Sequence, residues 1–399
     1  MQSRTYIGLA SLALTSACGF NIPGGSGTPD DATGSDGNAG DAASICPWPY
    51  EAEYATPCPA KTGPAIELVT GDAVLDTDAG TLTSGPVAID ILGEVIADVF
   101  VVWTTGLTIG TEADLRVTGS LPVVFISTGA ITIDGDLDGA GDADSPVVGD
   151  NPAGANPPEC DAAPAGPGQP CAAEGASGGG GGSFALVGGQ GGGGGSGRNC
   201  AAAGTGPVPG GTFGEAVMTR PPNLRGGCAG GAGGESLDNG AAAGRAGSGG
   251  GAIALVARET ITISGVVNVG GAGGGGGKER SGGGGGGSGG MIVLEATTIT
   301  ITIDGRVAAN GGGGGGGADG GTADEGSDGE DSVMPAGGGA KAGSGTDGGK
   351  GGARADAAQA ATISGRGGGG GGGGVGFVRI HSLSGATADP MSVSPAPSP

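Results

Sequence analysis

Ile261-Thr262-Ile263-Ser264-Gly265 is the stretch on which the fold turns, because the chain repeats it. Ile131-Thr132-Ile133-Asp134-Gly135, Ile301-Thr302-Ile303-Asp304-Gly305 and Thr362-Ile363-Ser364-Gly365 carry the same pattern. A β-branched alternation stopped by Asp or Ser and then Gly describes a strand with one buried face that runs into a turn. A short unit recurring along a chain marks a stacked architecture rather than an ordinary globule.

The flanking sequence extends the repeat. Val99–Gly119 lies over Val123–Gly141 so that Leu107 and Ile131, and Ile109 and Ile133, are 24 positions apart, with Leu115 and Leu137 separated by 22. Ala252–Ala257 leads into Thr260–Gly265, and Met291–Ala296 into Thr300–Gly305, with Val266–Val269 and Arg306–Ala309 as third strands. Three short strands in roughly 22 to 24 residues match one coil of a parallel β-helix. The expected fold is therefore all-β, a single-chain parallel β-helix or β-solenoid over residues 68–385. The alternation predicts Ile253, Leu255, Ile261 and Ile263 facing inward, with Ile292, Leu294, Ile301 and Ile303 stacked on them. Partial copies stand at Phe184–Val187 and Phe377–Ile380.

Glycine supplies 103 of 399 residues, in runs such as Gly270–Gly277 and Gly311–Gly317 that leave each unit after its third strand. The runs lack the Gly-x-y period of collagen. They are either mobile loops or extended left-handed polyglycine helices packed side by side, a geometry that only glycine is small enough to allow.

The N-terminus reads as an export signal over residues 1–17, with Arg4 ahead of an apolar stretch too short to span a membrane. Thr15-Ser16-Ala17-Cys18 resembles the bacterial lipoprotein lipobox, with Thr15 where Leu is expected. The resemblance implies a lipidated Cys18. Gly19 in place of Asp implies the outer membrane, at the cell surface or on its periplasmic side, whereas plain cleavage after Ala17 gives a secreted protein. Residues 18–45 read as a disordered tether, 46–67 as a Cys-paired N-terminal cap and 386–399 as a disordered tail. Apart from Cys18 the cysteines fall into neighbours, Cys46 with Cys58, Cys160 with Cys171, and Cys200 with Cys228. An even number in an exported chain reads as disulfides, although six cysteines allow about 15 connectivities.

Forty acidic against 16 basic residues give a formal charge of −24, which excludes a nucleic-acid partner. Asp134, Asp136, Asp138, Asp142 and Asp144 imitate the opening of a calcium loop. The twelfth position holds Ser145 instead of a bidentate Glu, and an acidic turn is the competing reading. No cofactor is otherwise indicated, and no catalytic residue stands out. The single His381 lies far from any nucleophile pattern, and reads as a surface residue.

The lipobox, acidic tether, paired cysteines and strands followed by glycine runs resemble the glycine-rich secreted proteins of unknown function common in myxobacteria. Residues 178–376 are also similar in composition to the glycine-rich regions of anaplastic lymphoma kinase-type receptors and of mycobacterial PGRS proteins, without the PE domain of the latter. The resulting expectation is a non-enzymatic surface lipoprotein with a structural or adhesive role. Its partners would be the membrane through the lipid, and extracellular polysaccharide or matrix. The alternative is a calcium-dependent β-helix that binds or cleaves polysaccharide.

Overall fold

A computed structural model describes residues 48–54, 57, 61–143, 151–171, 175–195, 208–217, 219–238, 240–362 and 366–398. Among them there is no α-helix, and no helix long and apolar enough to cross a membrane. The chain is all-β. The first strands are β1 (Ile66–Asp76), β2 (Thr81–Ser84), β3 (Val87–Ile89), β4 (Leu92–Ile96), β5 (Val99–Thr104), β6 (Leu107–Thr118), β7 (Val123–Ser127), β8 (Ile131–Ile133) and β9 (Asp136–Asp138). After a long glycine-rich stretch come β10 (Ala252–Ile263), β11 (Val266–Asn268), β12 (Met291–Ile301), β13 (Arg306–Ala308), β14 (Phe377–Ser382), β15 (Ala386–Ala388) and β16 (Val393–Ser394).

These strands join in one sheet that is not closed, and most of the pairing is parallel and follows three ladders. One ladder runs β5, β7, β10, β12, β14. A second joins the start of β6, then β8, the end of β10, the end of β12, and β15. The third joins the end of β6 with β9, β11, β13 and β16. Antiparallel pairs β1–β2, β2–β3 and β4–β5 occur only at the N-terminal end.

The register matches the sequence spacing at Leu107↔Ile131, Ile109↔Ile133 and Leu115↔Leu137. Side chains at alternate positions of all three ladders meet in one core: Phe125, Leu255 and Leu294 from the first, Ile133, Ile263 and Ile301 from the second, Leu137, Val267 and Val307 from the third. The first ladder is buried on its other face as well. Val101, Trp103, Val124, Ile126, Ala254, Val256 and Val293 form a second cluster there with Trp48, Phe184 and Leu224. Burial on both faces is why these strands read as continuous apolar runs.

Several expectations are corrected. Ile263 pairs with Ile301, and Ile261 with Ile299, so Ile303 is left at the corner, 73% exposed. The cause is an irregularity between Ala257 and Thr260 that removes one position from the register of β12, followed by a longer corner, Thr302–Gly305, before β13. The fourth sequence copy does not supply the last rung. Thr362 lies outside any strand, Ile363–Gly365 lie outside the described residues, and Ala386–Ala388 pairs with β12 instead. Residues 386–398 are therefore not a tail: β15 and β16 extend two ladders, and Val393 is buried on Val307. Backbone pairing needs no alternating side chains, so this stretch carried little pattern. Phe184–Val187 forms no strand.

The glycine runs are ordered against one another. Every amide from Gly282 to Gly290 donates to a carbonyl of another segment, and the target rotates with a period of three residues. Gly282, Gly285 and Ser288 donate to Gly234, Gly231 and Cys228. Gly283, Gly286 and Gly289 donate to Gly368, Gly371 and Gly374, while Gly284, Gly287 and Gly290 donate to Gly275, Ala272 and Val269. The carbonyls of the same run accept from three further segments, through Gly244 and Gly247, Gly179 and Gly182, and Gly315 and Gly312. Period three is the repeat of an extended polyproline-type helix, and six neighbours around one such helix make a hexagonal array. The run feeds directly into Met291 of β12, and Gly367–Gly376 into Phe377 of β14, so array and ladders share one backbone.

Absence of side chains is what permits this spacing. A Cβ placed on Gly284, Gly285 or Gly287 would fall far inside 3.0 Å of the carbonyl oxygens of Arg245, Gly180 and Ser248. The far ends of the runs are stitched together: Arg280 lies 3.7 Å from Asp238 and 3.6 Å from Asp319, and Ser344 Oγ donates to Asp319 at 2.6 Å.

Candidate functional site

The acidic turn that imitates a calcium loop is a corner followed by a strand. Asp134 closes the corner after β8 and accepts a hydrogen bond from Ser264 Oγ of the neighbouring corner. Leu137 points into the core, so Asp136 and Asp138 stand on the outer face of β9. Asp136 lies opposite Asp114, and burial followed by the charges of Asp114, Asp331 and Asp138 pushes its pKa up. Asp138 pairs with Arg116 Nη1 and accepts the Ala140 amide at 2.9 Å; burial nonetheless raises its pKa, outweighing Arg116. Asp142 is exposed, and Asp144 lies outside the described residues. Among the described residues no group of three or more His, Cys, Asp or Glu side chains comes together to hold a metal ion. Strand alternation and the corner spread these carboxylates where a coiled calcium loop would converge them.

Of the disulfide residues, Cys160 is bonded to Cys228 across a sequence separation of 68, which crosses both neighbouring pairs suggested by spacing. Cys171 is also disulfide-bonded. Proximity in sequence is a poor guide here because the array brings distant runs side by side. Cys18, Cys46, Cys58 and Cys200 lie outside the described residues.

Sequence reasoning missed a charged cluster on the outer face of the first ladder. Glu295 of β12 is fully buried, and its carboxylate accepts the Glu53 amide at 3.0 Å. Burial drives its pKa up. The Tyr50 hydroxyl reaches the carbonyl oxygens of Ala257 at 2.7 Å and Glu295 at 2.9 Å, while the Glu53 carboxylate sits between Arg220 and Arg379, the latter at 2.8 Å. His381 Nδ1 is 3.9 Å from Glu295, which makes it a neighbour of this cluster rather than a plain surface residue. Segment 48–54 is thereby strapped across the ladder. The only hint in the sequence was a Glu inside the otherwise apolar Met291–Ala296.

Beside the strap opens a groove of about 1290 Å³. Its walls are the β4–β5 hairpin with Glu94, Asp98 and Trp103, the strap residues Glu53 and Tyr54, the 151–159 loop, and Leu224 with Arg225. Most of its carboxylates are already engaged. Glu94 accepts from Trp103 Nε1 at 2.7 Å and pairs with Lys61. Asp78 accepts the Ser120 amide at 3.0 Å, and Glu53 holds the two arginines. Comparison with protein-family models, with curated proteins and with solved structures gives no match.

Proposed function

We propose that this chain is a non-enzymatic envelope protein, exported and anchored through a lipid on Cys18, that serves as a rigid structural and adhesive element. In this reading the three ladders are the faces of a parallel β-helix, and the glycine runs form a stiff slab extending from it. The single observation that carries the reading is the backbone hydrogen-bond array around Gly282–Gly290, in which every amide is bonded to a carbonyl of a neighbouring run. At about 3.1 Å per residue such a run is roughly 25 Å long, and lateral bonding on six sides resists bending. The stitched far ends, carrying Arg280, Asp238 and Asp319, form the surface that such a slab would present.

Two measurements test the proposal. The full chain expressed with its own leader in a Gram-negative host should incorporate labelled palmitate and fractionate with the outer membrane, and Cys18→Ala should abolish both. The purified protein should bind intact cells or extracellular matrix without converting any glycan. A soluble, unlabelled product, or turnover of acidic polysaccharide, would contradict the reading.

A further inference from the structure

Among the described residues, Arg225 is the one cation lining the groove that has no hydrogen-bonded acceptor. Arg225 is 8% exposed, its Nε is buried without a partner, and among the described residues its guanidinium makes no hydrogen bond. Its ion-pair neighbour among the described residues, Glu159, is 4.0 Å away with a side chain 61% exposed, which is too far for a hydrogen bond. The guanidinium is stacked over the Phe184 ring at 4.7 Å, so the plane of the fork is fixed from one side. Arg225 also lies at the seam between the large groove and a smaller cavity of about 260 Å³ bounded by Glu159, Cys160, Val217 and Cys228. Burying a guanidinium without acceptors is costly, and burial pulls its pKa down against Glu159, yet an arginine stays charged.

We infer that Arg225 is the anion receptor of a ligand site in this groove, and that the ligand is a uronate-bearing glycan. A planar fork held by an aromatic face matches a carboxylate through two parallel N–H···O bonds. The rest of the groove sets the ligand's other features. Asp98 and Glu159 offer acceptors for hydroxyl groups, Asn151, Asn156 and Asn223 bring carboxamides, and Pro122, Pro157 and Leu224 give apolar surface. A doubly charged phosphate would concentrate its charge against those carboxylates, and an acidic peptide would bring no ring of hydroxyl donors to them. A uronate brings one anionic group per ring together with several hydroxyl donors. The site needs no divalent cation, and it stands independently of the scaffold role.

Calorimetric titration of the full chain with trigalacturonate in EDTA tests the assignment. Saturable binding is expected, lost for the fully methyl-esterified trisaccharide. Arg225→Gln and Arg225→Lys should each weaken it by about tenfold or more, because neither retains the bidentate fork. Arg225→Gln gives up the contact with the Phe184 ring, so its folding is checked by thermal unfolding before titration. If that variant unfolds, the Arg225 Nε–H resonance of the wild type decides: it should shift with trigalacturonate and stay still with the ester. The inference is overturned by no saturable binding, by wild-type affinity in Arg225→Gln, by an unmoved Nε–H resonance, or by inorganic phosphate or an acidic peptide binding through Arg225 when the uronate does not.

Discussion

At Gly285 a single methyl group separates order from clash. A Cβ there would strike the Gly180 carbonyl, and backbone atoms on both sides leave it nowhere to go. Gly285→Ala should therefore cost about 1–3 kcal/mol in chemical denaturation, the range for overpacking. Gly106→Ala, which meets only the Ala130 oxygen at 3.7 Å, should stay within about 0.5 kcal/mol of the wild type. The isoleucines offer a second contrast. Ile263 is buried in the core and paired with Ile301, so Ile263→Ala should cost about 2–5 kcal/mol. Ile303→Ala removes a side chain that is 73% exposed and should leave the unfolding midpoint nearly unchanged. Equal losses at both positions would mean that the register is wrong. These two residues also show how local pattern misleads. Ile-Thr-Ile-Asp-Gly looks identical at 131–135 and 301–305, yet the second copy pairs two positions away from where its motif points, and the irregularity between Ala257 and Thr260 accounts for one of the two. Only the pairing partner reveals such a shift.

Among the elements, the strap over the first ladder should respond to pH. Burial raises the Glu295 pKa above its ordinary 4.5, so the native state binds a proton that the unfolded chain has released. The contribution of Glu295 to stability is thus fully present below about pH 4.5 and is lost as pH rises through the raised folded value. Wild-type stability minus that of Glu295→Gln should fall across this window, as measured by denaturation at a series of pH values. A flat difference would remove the buried carboxylate from the account. The Cys160–Cys228 bond ties the start of the glycine-rich stretch to a run that contacts Gly282–Gly290. Replacing both cysteines by Ser should cost roughly 2–5 kcal/mol, and non-reducing peptide mapping should recover that pair.

How much was legible depends on where the information sits. Leu107, Ile131, Leu115 and Leu137 gave the ladder spacing directly, because inward side chains must be apolar and alternate. The β15 and β16 rungs were invisible, since their backbone pairing asks nothing of Ala386, Thr387 or Ala388. The disulfide and the positions of Glu295 and Arg225 depend on which distant segments lie side by side, a matter no short motif records. The neighbours of the acidic corner were hidden for the same reason. Asp134 and Asp138 find partners, Ser264 and Arg116, that the linear spacing does not contain.

For the molecule as a whole, stability must come from two sources of different kind. The ladders bury an aliphatic core, whereas the array gains almost nothing from side chains. Ordering a residue costs about 1–2 kcal/mol of backbone entropy, and glycine costs most, while a single hydrogen bond returns about 0.5–1.5 kcal/mol net. One glycine run therefore cannot order by itself. Gly282–Gly290 orders because every amide donates and nearly every carbonyl accepts within a set of six neighbours, and because the run is anchored at Met291 to a buried strand. The array should then behave as one cooperative unit that opens with the ladders. Site-resolved hydrogen exchange on the intact chain measures this most directly. The account predicts that amides from Gly282 to Gly290 are protected to within about tenfold of those in β10 and β12, and are released together with them. Exchange of those glycines at the unprotected rate, while the strands stay protected, would contradict it.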